Sequence, residues 1–129
     1  MSRIKPSKFE IFLNYKLWLS SVTGEGIIEE DRYKLLQLIK EKGSLKAAAD
    51  TMQISYRKAW GDLRKAETCL GLPVIHRVRG GRGGGATTLT AQGLRLIKAF
   101  RRFRHTVERC TSDAFTALQE ELAPCARRS

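Results

Sequence analysis

The sequence predicts a mainly α chain with a small β component. Three observations predict it. Between residues 31 and 70, three segments with apolar stripes of helical period are separated by short breaks at Gly43-Ser44 and Gln53-Ser55. After them a glycine- and arginine-rich tract, RGGRGGGA (79–86), lies between two short β-forming runs. From Leu96 onward apolar residues recur at steps of four and three as far as Ala117, which predicts one long helix.

Residues 1–8 are polar and basic and are expected to fray. Phe9, Ile11, Leu13, Tyr15, Leu17 and Leu19 then alternate with more polar neighbours, interrupted at Phe12 and Trp18. That alternation predicts a strand. Thr23-Gly24-Glu25-Gly26 is a turn and Ile27-Ile28 begins a return strand, so a β-hairpin is expected over roughly 14–29.

Asp31 is read as the cap of a first helix, with Lys34 to Lys42 inside it. Leu35, Leu36, Leu38 and Ile39 form its buried stripe, and Gly43 ends it. Ser44 caps a second helix, LKAAADTM, whose Leu45, Ala48, Ala49 and Met52 face inward; its alanines allow another helix to approach closely. A tight turn at Gln53-Ile54 leads to Ser55, the cap of a third helix that runs to Leu70 and is closed by Gly71 and Pro73. In this helix Ala59, Leu63, Ala66 and Leu70 share the inner face. Ser55, Arg57, Lys58, Gly61, Asp62 and Arg64 are left outside. Two short helices joined by a turn, the second of them basic, match the helix-turn-helix pattern. The outer face of the second offers the donors that read guanine edges and phosphates.

Val74, Ile75 and Val78 are strand formers, and Ala86 to Leu89 can pair with them antiparallel. The tip between them carries Arg79 and Arg82. A hairpin directly after a recognition helix is a wing. Its glycines free the backbone to follow a groove, and its arginines suit a narrow, electronegative minor groove. Thr90 caps the last helix. Leu96, Phe100, Phe103, Val107, Cys110, Ala114 and Ala117 form a heptad seam on it, and Phe115, Leu118 and Leu122 form an adjoining stripe. One small domain does not bury so long a seam alone. A homodimer is therefore expected, with Leu96, Phe100, Phe103, Val107, Cys110, Ala114 and Leu118 at its interface.

The expected organisation is a winged helix-turn-helix DNA-binding domain over 1–89, N-terminal strand included, a long C-terminal dimerisation helix over 90–123, and a tail over 124–129. The fold class is mainly α with small β, a winged helix-turn-helix with an N-terminal β-hairpin and a long C-terminal dimerisation helix. An apolar share of 42% suffices for a packed core. The formal net charge is +11 and the pI about 10.1. Self-repulsion makes such an imbalance unfavourable for stability, so a polyanionic partner is its usual explanation. Nucleic acid ranks first, ahead of an anionic membrane surface and of solubility alone. No apolar run approaches the roughly 18 residues that a membrane span needs. Glu10, Asn14 and Lys16 break the N-terminal run, which excludes a signal peptide. Cys69, Cys110 and Cys125 form neither a zinc pattern nor a disulfide framework, in keeping with a reduced, cytoplasmic setting.

For individual residues a plainer reading stands beside the functional one. Arg57, Lys58, Arg64 and Lys65 are either a solvated helix face or a DNA-contacting one; the adjacent Arg-Gly wing and the net charge favour contact. Trp60 is read as partly buried, with its indole N–H a candidate phosphate donor, and Tyr56 as a first-turn contact. The Gly-rich tip is followed by no GK[ST], which excludes a P-loop. His76 and His105 are read as surface residues, and no metal or other cofactor is expected. No nucleophile, base and orienting group cluster, so the chain is not expected to be an enzyme.

KLWLS near the start, ISYRKAW in the third helix and RGGRGGGATTLTAQG in the wing together resemble the N-terminal DNA-binding domain of the ModE family of molybdenum-responsive regulators. The plan is also similar to that of LysR-type regulators. The resemblance covers about residues 14–122. It implies a winged helix-turn-helix, a dimer through the long helix and an inverted-repeat operator in double-stranded DNA, with molybdenum-related genes as the class controlled. By motif position it implies DNA contacts from Ser55, Tyr56, Arg57, Lys58 and Trp60, with Arg79 and Arg82 in the wing. Ser44, Gly61 and Arg64 complete the set of candidate DNA-binding residues. ModE proteins continue into a molybdate-binding region beyond the length of this chain, so molybdate binding by residues 1–129 is not expected. Either no effector acts on the chain or one acts through a separate sensing partner. The leading expectation is a sequence-specific transcriptional regulator. The alternatives are a non-specific or architectural DNA-binding protein and a protein-interaction module on the same scaffold.

Overall fold

The structure is a computed structural model. It describes residues 2–3, 11–78 and 86–127, and side chains over 11–78 and 86–123. The elements in order are β1 (Ser2–Arg3), β2 (Asn14–Tyr15), β3 (Leu19–Ser20), β4 (Gly26–Ile28), α1 (Glu30–Lys42), α2 (Leu45–Met52), α3 (Tyr56–Leu70), β5 (Ile75–Val78), β6 (Ala86–Leu89) and α4 (Ala91–Arg127). By contacts the chain divides into two units, Trp18–Phe100 and Met1–Leu17 with Arg101–Ser129.

In the unit Trp18–Phe100, β3 and β4 pair antiparallel, with Leu19 opposite Ile28 and Ser20 opposite Gly26 across a bulge. The hairpin is closed by the Ser21 N–H donating to the Glu25 carbonyl at 2.7 Å. Arg32 of α1 donates to the carbonyls of Gly26 and Ile27 and ties the hairpin to the helix. The hairpin is shorter than expected. Residues 11–13 and 16–18 are irregular, and β2 pairs with β1 and not with the return strand. The alternation fails at Phe12 and Trp18, so one strand register cannot serve the whole segment.

Asp31 does not cap α1. The chain stays extended at Glu29, which is the N-cap though its side chain makes no capping bond to the helix start, and Asp31 falls in the first turn beside Glu30. There both acids face the positive end of the helix dipole. Gly43 ends α1 in the left-handed region at φ 68°, with its N–H bonded to the Ile39 carbonyl. The hydroxyl of Ser44 accepts the Ala47 N–H, and Gln53 takes the left-handed conformation that turns the chain towards α3.

Leu35, Leu36 and Ile39 of α1, Leu45, Ala48 and Ala49 of α2, and Ala59 and Leu63 of α3 form one buried core with Ile28, Val74, Ile75, Ile97 and Phe100. Ala48 and Ala59 have no exposed surface. A methyl at each position lets neighbouring helix backbones come close without leaving a void. Tyr33, absent from the expected stripe, is buried too, its ring 5.4 Å from that of Phe100.

This last contact revises the predicted seam. Phe100 is enclosed within its own unit and Leu96 is half-buried against the same core. In the other unit, β1 pairs antiparallel with β2, with Ser2 opposite Tyr15 and Arg3 opposite Asn14. There the helix buries Phe115 and Ala123. Phe103, Cys110, Ala114 and Leu118 remain exposed and Val107 is half-buried.

Candidate nucleic-acid interface

The interface is built from α3 outward. Ser55 is extended, and its hydroxyl accepts the Lys58 N–H at 3.0 Å. A cap of this kind satisfies one of the first-turn donors and leaves others pointing along the axis, where a helix start attracts anions. Beyond the cap, Ala59, Leu63 and Ala66 are buried, while Tyr56, Arg57, Lys58, Arg64 and Lys65 are exposed. Trp60, Gly61 and Asp62 lie between, half-buried. Ala59, Leu63 and Ala66 lie on the expected inner face and Ser55, Arg57, Lys58 and Arg64 on the outer one, whereas Leu70, expected inside, is half-buried, as are Gly61 and Asp62, expected outside.

The outer face is organised by two clusters. In the first, the Asp62 carboxylate meets the Lys58 ammonium at 2.8 Å and Arg32 of α1 at 3.8 Å. Pairing with an exposed lysine contributes little to stability, but it restrains the direction of the Lys58 side chain. In the second, the Trp60 ring has two guanidinium neighbours, Arg64 at 5.6 Å and Arg77 at 4.6 Å. Arg77 also lies 6.0 Å from the Tyr56 ring. Among the described residues, Arg57, Arg64 and Arg77 form no ion pair.

Arg77 comes from the wing. β5 and β6 pair antiparallel as expected, with Ile75 opposite Leu89, Arg77 opposite Thr87 and Val78 opposite Ala86. Three attachments set the wing against the helices. Glu67 of α3 accepts the N–H groups of Val74 and Ile75 at 2.8 and 3.3 Å. The buried Thr87 donates its N–H to the Gly43 carbonyl at 2.9 Å. Thr90 donates its hydroxyl to the Pro73 carbonyl and its N–H to that of Val74, and accepts the Gly93 N–H as the cap of α4. Gly93 lies so close to the Val74 carbonyl that a Cβ there would overlap it.

The structure thus gathers Tyr56, Trp60 and Arg64 around Arg77, while Lys58 belongs to the separate cluster with Asp62 and Arg32. Ser44 serves as the half-buried cap of α2. Arg79 and Arg82 lie outside the described residues. Arg77, Arg32 and Glu67 were missed from sequence. The strand carrying Arg77 was legible, but its ring partner stands on another element. His76 and His105 are exposed, and among the described residues no three His, Cys, Asp or Glu side chains gather as a metal site. No described helix is long and apolar enough to cross a membrane.

Residues 31–94 match the family described as bacterial regulatory helix-turn-helix protein, lysR family. A crystal structure of the CbnR DBD–DNA complex superposes with a TM-score of 0.54 at 23% identity, over 70% of this chain and 99% of that one. The likeness is one of fold, and together these place a winged helix-turn-helix domain of the lysR type in this chain. Within that class the chain is similar to regulators named ModE. The transcriptional regulator ModE of Haemophilus influenzae is 34% identical over 97 residues, covering 75% of this chain and 36% of that protein. The DNA-binding transcriptional dual regulator ModE of Escherichia coli K12 is 35% identical over 69 residues, covering 54% and 26%. The chain therefore spans about a third or less of the length of these relatives.

Proposed function

We propose that the chain is a sequence-specific transcriptional regulator that binds an inverted-repeat operator in double-stranded DNA as a homodimer. The observation that carries this reading is the outer face of α3, where exposed arginines, in no ion pair among the described residues, are set among aromatic rings beside a capped helix start. Arg57 and Lys58 sit in the first turn, the part of a recognition helix that reaches base edges in the major groove. Arg79 and Arg82 complete the wing side, at phosphates or the flanking minor groove. The name of one further relative, the molybdenum transport protein ModE of Azotobacter vinelandii, supports molybdenum-related genes as the class controlled. The reading assigns no catalytic step to the chain and sets its work in the cytoplasm.

Dimerisation is proposed through the exposed stripe Phe103, Cys110, Ala114 and Leu118. Two-fold symmetry then presents two recognition helices to half-sites about 34–36 Å apart, or a multiple of that. Selection of bound duplexes from a random pool, followed by competition at fixed salt, tests the proposal. A palindromic family preferred about 10³-fold or more over random duplex is the expected result. Equal binding to all duplexes would establish the architectural alternative in its place.

A further inference from the structure

We infer that Arg77, on strand β5, is a DNA-phosphate contact held in position by Trp60. The inference rests on the DNA-binding reading above. It adds a residue outside both the helix start and the wing tip. Arg77 is exposed, its guanidinium is 4.6 Å from the Trp60 ring centroid and 6.0 Å from that of Tyr56, and it forms no ion pair among the described residues.

A guanidinium over an indole face satisfies its weakly hydrated plane and keeps its N–H donors at the edge. Those donors match two oxygens of one phosphate, and a planar fork already oriented loses less entropy on binding than a free side chain. Arg64 lies over the same ring at 5.6 Å. Two like charges beside one ring, neither of them in an ion pair among the described residues, repel each other, and an anion relieves that repulsion. Position also separates Arg77 from base readout. It belongs to the stem of the wing, attached to the last turn of α3 through Glu67, whereas base reading belongs to the first turn. A stem residue on that side meets the backbone that borders the groove.

The test uses the full chain, the duplex it selects from random DNA, and a random duplex of equal length. Arg77→Ala should lower affinity for both duplexes by roughly tenfold at 0.1 M salt, the contribution of one phosphate contact, and reduce the salt slope by about one. The ratio between the duplexes should not change. Arg77→Lys, with charge but no fork, should fall between the parent and Arg77→Ala. Arg77→Gln, which retains length without charge, should repeat the alanine result even if alanine disturbs the strand. Unchanged affinity and slope, while the parent still prefers its selected duplex, would overturn the inference and leave the regulator reading standing. A loss confined to the selected duplex would make Arg77 a base reader and overturn the phosphate assignment. A parent that binds neither duplex would sink both.

Discussion

The carboxylate of Glu67, in the last turn of α3, accepts the backbone N–H of Val74 at 2.8 Å and so anchors the wing to the recognition helix. The same oxygen takes the Ile75 N–H at 3.3 Å, so one side chain satisfies two donors where the chain leaves the helix and enters the strand. Hydrogen bonds to a charged group contribute about 1.5–3 kcal/mol, more than neutral ones. Glu67→Ala should therefore lower stability by about 2 kcal/mol in denaturant unfolding, and Glu67→Gln by less. An unaltered midpoint in the alanine variant would show that the wing is held by other contacts.

Gly93 should resist the substitution that most helices welcome. In an open helical position, Gly→Ala stabilises by about 1 kcal/mol. Here the added methyl meets the Val74 carbonyl, a backbone group that cannot swing aside. Overpacking of this kind costs about 1–3 kcal/mol, so Gly93→Ala should lower the thermal midpoint. A raised midpoint would mean that α4 and the start of β5 have room to separate.

Gly61 presents the opposite case. It lies within α3, and a Cβ built there meets nothing within 4 Å. Gly61→Ala should stabilise the free protein by roughly 1 kcal/mol. If α3 lies against the duplex along this side, the same variant should bind its selected duplex several-fold more weakly, since the methyl occupies space that close approach needs. Paired melting and binding titrations would show both signs; unweakened binding would remove Gly61 from the interface.

Arg57 is exposed in the first turn of α3 and forms no ion pair among the described residues. Arg57→Ala should reduce binding to the selected duplex by about 1–3 kcal/mol and relax preference at one base position. Repeating the selection with the variant measures this directly. An unchanged motif would assign base reading to other residues.

Phe103 and Leu118 are 44% and 48% exposed on α4, so their replacement does not empty the core. Phe103→Glu with Leu118→Glu should leave helical content intact and yield a monomer in sedimentation analysis. A dimer that survives both charges would place the interface on another surface.

Much of this architecture was legible in residue order. The caps at Ser44, Ser55 and Thr90, the glycine stops at 43 and 71, and the inner faces of α2 and α3 depend on neighbours within a few positions. Local chemistry of that range is written in the chain itself. The N-terminal segment was less legible because its alternation is broken twice, and β2 takes its partner from residues 2–3. The functional face divides in the same way. Arg57, Lys58 and Arg64 followed from helical period and charge. The Trp60–Arg77 stack did not, because a strand after a turn brings its arginine back onto the helix only when the wing is seated.

By itself, the sequence determined the number and order of the helices, the basic side of α3, the wing that follows it and the resemblance that names the domain type. Short-range periodicity, capping and charge suffice for these. Tertiary structure alone decided that Phe100 belongs to the core beside Tyr33 while Phe103 and Leu118 stay exposed, and that Arg77 joins Trp60. A heptad pattern states that a face is apolar, not what covers it; that choice depends on which elements fold back within reach.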